Sequence, residues 1–175
     1  MLKQKPYWLI AFALLVADQA TKAWATAKLK PVGMMEILPG YFRLSYALNR
    51  GVAFSLFADV EFNIQWILAA ISGVAAVLVM FYLARTPHTE RQMSCALAFL
   101  LSGILGNLID RVRLGEVVDF IEFHWLDRFI WPTFNLADAA ICLGAILLGI
   151  VLMREEHAAR AQPVVIEEPD ANPVE

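Results

Sequence analysis

Apolar positions gather into four long stretches, Tyr7–Trp24, Phe62–Ala84, Met93–Ile109 and Phe134–Met153, with segments rich in Pro, Gly and charge between them. Crossing hydrocarbon takes about 20 apolar residues in helix, so each stretch predicts a membrane-spanning helix. The second is the cleanest, with no charged residue from Phe62 to Ala84. The third is short and uses Arg91 and Arg111 as snorkelling ends. Arg85–Arg91, broken by Pro87, predicts a tight polar turn between them. Residues 28–61 differ, being punctuated by Pro31, Gly33, Pro39, Gly40 and Gly51. Within them Phe42, Leu44, Tyr46 and Leu48 alternate with Tyr41, Arg43, Ser45 and Ala47, the period of a half-buried strand. A small sheet resting on the membrane surface is expected there. Residues 112–133 are expected to form a second extramembrane loop, with Trp125 and Trp131 suited to the interface.

Composition supports the same class. The 175 residues are 59% hydrophobic and 18% charged with mean hydropathy +0.59, too little polar surface for a soluble domain of this size. One domain over residues 1–154 accounts for the four spans. Residues 155–175 concentrate Glu155, Glu156, Glu167, Glu168, Asp170 and Glu175 among prolines and predict a disordered acidic tail. Cys95 and Cys142 stand isolated among apolar neighbours and read as small fillers. His88, His124 and His157 are too scattered for a ligand set, so no metal is expected, and no basic patch with interleaved aromatics points to nucleic acid. Lys3, Lys5, the apolar run and Ala25-Thr26-Ala27 also fit a secretory signal. Three later spans, and the loss of Asp18 and Lys22 that cleavage would bring, favour an uncleaved first span.

Four acids interrupt or border the apolar runs: Asp18, Asp110, Asp119 and Asp138. A carboxylate at a helix centre costs roughly 2.5–3.5 kcal/mol on insertion scales, so each needs a reason. With four alternating spans, the end of span one, residues 28–61, the end of span three and the start of span four share one side. Asp18, Lys22, Asn49, Arg50, Asn107, Asp110, Arg111, Asp119, Asn135 and Asp138 all lie there. Lys and Arg number eight on that side and six on the other, a small excess that favours a cytoplasmic cluster under the positive-inside rule. Several of those cations sit inside the polar motifs, where a site can hold them, so charge counting does not set orientation.

Asp18, Thr21 and Lys22 share one helical face, as do Asn107, Asp110 and Arg111. Either set also fits an ordinary interfacial ion pair, although Asn107 is deep enough to want a partner across the bundle. Gly103 and Gly106 keep that part of span three small, so a neighbouring helix can come close. Asn135 and Asp138 are one turn apart at the start of span four; the plain alternative is an interhelical strut. Asp119 matters as a second acid near Asp138. Two close carboxylates in a low-dielectric site resist joint ionisation, leaving one base and one acid. Asn49 and Gly51 belong to a segment that also fits a strand-ending turn.

The motifs Asp18-Gln-Ala-Thr-Lys22, Asn49-Arg-Gly-Val-Ala-Phe54, Gly106-Asn-Leu-Ile-Asp-Arg111, Val117-Val-Asp-Phe120 and Phe134-Asn-Leu-Ala-Asp138 occur in the order and spacing of lipoprotein signal peptidase, the signal peptidase II family, and the chain resembles that family over about Tyr7 to Met153. The resemblance implies an all-α integral membrane protein with four transmembrane helices and a small extramembrane β-sheet on the periplasmic side. It implies a bacterial inner-membrane aspartyl endopeptidase, both termini cytoplasmic, that needs no cofactor. Its substrates would be prolipoproteins, cut on the amino side of a diacylglyceryl-modified cysteine beside membrane lipid, and its inhibitors would include globomycin. Asp119 and Asp138 would be the catalytic pair. Asp18, Lys22, Asn49, Gly51, Asn107, Asp110, Arg111 and Asn135 would support the site or contact substrate. A proton-relaying transporter and a structural scaffold are the alternatives; the first predicts polar residues spread through the bilayer depth, and the second gives no reason for acids to converge.

Overall fold

The computed structural model describes residues 4–51 and 64–160. Val52–Phe54 of the second motif, the first residues of the second stretch and most of the acidic tail lie outside them. Four long helices carry the architecture: α1 (Lys5–Lys28), α2 (Ile64–Arg85), α3 (Arg91–Leu114) and α4 (Leu136–Arg160). At 1.5 Å per residue, the 24 residues of α3 extend about 36 Å, enough for a bilayer core of about 30 Å. By length and composition α2, α3 and α4 can cross a membrane. Half of the apolar window of α3 is buried, against 17% for α2 and α4, so α3 is the inner helix. Ala11 of α1, Ala76 and Leu83 of α2, and Leu97, Ala98 and Leu101 of α3 form its core. The outer face of α2, with Ile71, Val74 and Leu78, stays exposed and apolar, as a lipid-facing surface does.

Glycine sets how closely α4 approaches α3. A Cβ at Gly106 would stand 2.5 Å from Asp18 Oδ2 and 3.1 Å from Ala137 Cβ; one at Gly144 would stand 2.8 Å from the Leu100 amide nitrogen. The small face expected of Gly103 and Gly106 is therefore where α1, α3 and α4 meet. Helix α3 stops at Gly115, whose φ of 74° is left-handed and whose N–H donates to Arg111 O.

Four antiparallel strands, β1 (Met34–Leu38), β2 (Phe42–Asn49), β3 (Val117–Trp125) and β4 (Phe129–Ile130), lie in that order in one sheet. This corrects the expectation for residues 112–133, read as loop: they supply two strands, and β3 is the most buried. Its residues Val117–Phe120 are all buried and show no two-residue alternation. From Ile121 to Trp125 burial alternates, but with polar Glu122 and His124 as the buried positions, the reverse of the usual strand signal. In β2, between β1 and β3, the strand forms as expected, but Phe42–Ala47 are all half-buried and the two faces are not separated. Val118 and Phe120 pack with Ala25 of α1 and with Leu29, which caps it, seating the sheet on the helix end. Opposite Phe120, β2 carries two residues, Ser45 and Tyr46, a β-bulge that brings Ala47 beside Asp119. A second correction concerns residues 155–160. They continue α4 rather than starting a disordered tail, with Glu156 and Arg160 paired at 2.6 Å one turn apart.

Candidate active site

The polar residues converge where the sheet meets the ends of α1 and α3 and the start of α4. Asn135 is the N-cap of α4. Its Oδ1 accepts the Asp138 N–H at 2.9 Å, while Asp138 Oδ2 accepts the Asn135 N–H at 3.1 Å, a reciprocal capping box. The next free amide, Ala137 N–H, donates to Asp18 Oδ1 at 2.9 Å. Two of the amides that a helix start leaves unpaired, those of Asn135 and Ala137, are thus spent on aspartates.

Asp18 and Lys22 lie one turn apart on α1, as their spacing predicts, and both are buried. Lys22 Nζ is 3.0 Å from Asp18 Oδ2, 3.0 Å from Asp110 Oδ2 and 2.9 Å from Asn107 Oδ1. Buried charges are tolerated only when paired and hydrogen-bonded. Here Asp110 also accepts the Val118 N–H at 3.1 Å, which fastens β3 to α3. Gln19 Nε2 donates to Asp110 Oδ1 at 3.1 Å, Asp18 Oδ2 at 3.2 Å and Gly106 O at 3.2 Å. The partner that Asn107 wanted across the bundle is α4: its Nδ2 donates to Asp138 Oδ1 at 2.7 Å.

Asp119, only 2% exposed, is held from both sides. Asn135 Nδ2 donates to its Oδ1 at 2.6 Å and Asn49 Nδ2 to its Oδ2 at 3.0 Å. Gly51, with φ of 72°, donates its N–H to Asn49 Oδ1 at 2.7 Å and so turns the Asn49 amide towards the acid. The strand end lies close enough to the sheet's own register for this, since Asn49 pairs with Val117. Burial pushes the Asp119 carboxyl up to about 6; the two asparagine donors oppose that rise and the Asp138 charge adds to it. Asp138 is less deeply buried, so the two acids occupy unequal environments while sharing Asn135.

Arg111 departs from the rest. Its Nη1 reaches Ser72 Oγ on α2 at 3.4 Å, so it bridges helices rather than joining the carboxylates. Gln19 stands in the first motif but earns no role from sequence; its place beside Asp18 was the only hint. The Val118 and Ala137 amides leave no sequence signal, because any residue but proline supplies them. A further cluster lies along the sheet. Arg43 pairs with Glu122 at 2.5 Å and Asp127 at 2.8 Å, and buried His124 sits 3.1 Å from Glu36 and 3.3 Å from Asp127.

A family model described as signal peptidase (SPase) II matches residues 10–154. A lipoprotein signal peptidase of Ectopseudomonas mendocina is 43% identical over 155 residues, covering 89% of this chain and 92% of the relative. One from Geobacter sulfurreducens is 40% identical over 149 residues, covering 85% and 91%. A solved structure described as a bacterial membrane enzyme superposes with a TM-score of 0.75 at 27% identity, covering 91% of this chain and 94% of that one. A second, described in the same words, gives 0.72 at 26% identity over 86% and 94%. With a family match spanning most of its length and relatives this similar along the same stretch, the chain belongs to the signal peptidase II family and is a membrane protease.

Proposed function

We propose that residues 1–154 act as one four-span aspartyl endopeptidase domain that removes signal peptides from diacylglyceryl-modified prolipoproteins, cutting on the amino side of the lipidated cysteine. Asp119 and Asp138 are the reacting pair. The observation that carries this is Asn135: one residue at a helix start hydrogen-bonds both carboxylates, Asp119 through its side chain and Asp138 through its backbone. Asp138, held at the helix start by two N–H donors, takes the proton of an attacking water. Asp119, buried and inclined to keep its proton, polarises the scissile carbonyl and then protonates the departing nitrogen. Water adds to the carbonyl carbon, the tetrahedral intermediate collapses, and the C–N bond breaks with the proton delivered to the amine. The other polar residues, Asp18, Lys22, Asn49, Gly51, Asn107, Asp110, Arg111 and Asn135, support the pair or meet substrate.

The first helix is the fourth span, the sheet is periplasmic and both termini are cytoplasmic. Three of the eight cations on the site's side, Lys22, Arg43 and Arg50, are committed to acids within 3.0 Å, which supports setting the charge count aside. Acyl chains on the substrate cysteine fix its distance from hydrocarbon, which suits a pair at the outer leaflet. A globomycin-type peptide inhibitor is expected to occupy the same site. A proton relay is disfavoured because the buried acids crowd one end, while α2 carries no charge from Ile64 to Ala84.

The test is turnover of a lipid-modified prolipoprotein by purified protein in detergent. Asp119→Asn and Asp138→Asn are each expected to abolish cleavage while the protein stays folded and binds substrate. Retained turnover in either removes that residue from the pair.

A further inference from the structure

We infer that Lys22 is a positioning residue for the reaction: by offering only donors to Asn107, it sets the direction of the hydrogen bonds that reach Asp138 and tie the two asparagines together. An ammonium has three N–H donors and no acceptor. All three are used, on Asp18 Oδ2, Asp110 Oδ2 and Asn107 Oδ1, and the side chain is 3% exposed, so no water competes for them. Asn107 must therefore turn its oxygen to Lys22. The same oxygen accepts Asn135 Nδ2 at 3.2 Å, and the Asn107 amide group is left facing Asp138 Oδ1 at 2.7 Å. Asn135 is oriented independently, because its own oxygen is taken by the Asp138 N–H.

Reversing the Asn107 amide would set NH2 against the ammonium, NH2 against the Asn135 NH2, and oxygen against the Asp138 carboxylate. Three good bonds would become three like-to-like contacts. With the ammonium present only one arrangement is satisfied, and in it Asp138 Oδ1 is held by a donor, fixing the plane of the carboxyl. Without it, the shortest contact on the Asn107 oxygen is lost, and the amide is held only by the longer Asn135 bond and by Asp138. Lys22 touches neither Asp119 nor Asp138 at hydrogen-bond distance; it acts through Asn107.

This inference rests on Asp119 and Asp138 being the reacting pair, but the two fail separately. That reading is judged by turnover of D119N and D138N; this one by Lys22 variants of the full chain in detergent, assayed with a lipid-modified prolipopeptide and checked for folding by thermal unfolding. Lys22→Gln, whose amide can flip, is expected to lower kcat about 100-fold with KM within about threefold of the parent, the signature of lost positioning rather than lost binding. The alkaline limb of its pH profile is expected to move up by about half a pH unit, because the Lys22 charge holds the Asp119 carboxyl down. Lys22→Arg, again a pure donor, is expected to recover about tenfold of the lost kcat. A folded Lys22→Gln protein with kcat within about threefold of the parent would overturn the inference wherever the limb lies, as would a loss confined to KM. If Lys22→Gln does not fold, Asp18→Asn with Lys22→Gln keeps the net charge of the Asp18–Lys22–Asp110 group and is judged on kcat instead. A loss of about 100-fold supports positioning, and kcat within about threefold shows that charge balance was all that mattered.

Discussion

Asp119 carries the most informative single-residue behaviour. Its ordinary value is 3.8 and its folded value about 6, raised by burial. Below the ordinary value the carboxyl is neutral in both folded and unfolded chains. Between there and about 6 the folded chain keeps a proton that the unfolded chain has released, so stability falls as pH rises through this window. Above it the loss is complete, up to about 3 kcal/mol. The difference in melting temperature between Asp119→Asn and the parent should therefore grow in the variant's favour from about pH 4 to about pH 6 and then level off. A difference that stays constant across that range would contradict the burial argument. On the proposed mechanism the proton on Asp119 is needed, so kcat/KM should decline as pH rises through about 6 in the free enzyme. The limb in kcat should lie higher, because bound substrate excludes water from an already buried acid. Coincident limbs in the two profiles would count against Asp119 as the acid.

At the scale of elements, the site depends on helix starts and close helix contacts more than on side-chain bulk. Gly106→Ala sets a methyl group against Asp18 and Ala137 at the junction of α1, α3 and α4. Overpacking of this kind costs typically 1–3 kcal/mol, and here it should lower both melting temperature and kcat. Gly144→Ala meets the backbone of Leu100 and Ala96, away from the carboxylates, and should lower the melting temperature while folded protein keeps its kcat. Equal kcat losses in the two variants would mean that the glycine face has no special link to the site. The capping box was partly legible: Asn135 and Asp138 are three residues apart before an apolar run, the spacing of a helix start. β3 was not legible as a strand, because Asp119, Glu122 and His124 are buried along with apolar neighbours, so polar and apolar positions do not sort onto an outer and an inner face. Gln19 was passed over for a related reason: one amide beside an ion pair has no pattern of its own.

For the whole molecule, orientation gives a direct test, since the charge excess and the family resemblance point to opposite sides. In a chain with Cys95 and Cys142 replaced by alanine, a cysteine at Arg128 should react with an impermeant maleimide added outside spheroplasts, and one at Thr89 should react only after lysis. Labelling of the Thr89 position from outside would reverse the assignment. Arg128 lies in the turn between β3 and β4, and Thr89 in the turn between α2 and α3, so the pair samples opposite ends of the helices. Both are exposed, and the result does not depend on burial.

Hydrophobic runs long enough for hydrocarbon, and acids that recur at one end of them, are properties of the linear chain. Sequence alone therefore determined the helical membrane class, the shared end of the spans where the polar residues gather, and the one-turn spacing of Asp18 with Lys22 and of Asn135 with Asp138, all of which follow from length and helical spacing. Tertiary structure alone decided which donor meets which oxygen: Lys22 with Asp110, Asn107 with Asp138, Asn135 with Asp119, and Arg111 with Ser72 instead of an acid. Those choices depend on helix crossing at glycines and on a bulged strand laid across a helix end. Both are distances between residues remote in sequence, and no local periodicity encodes them.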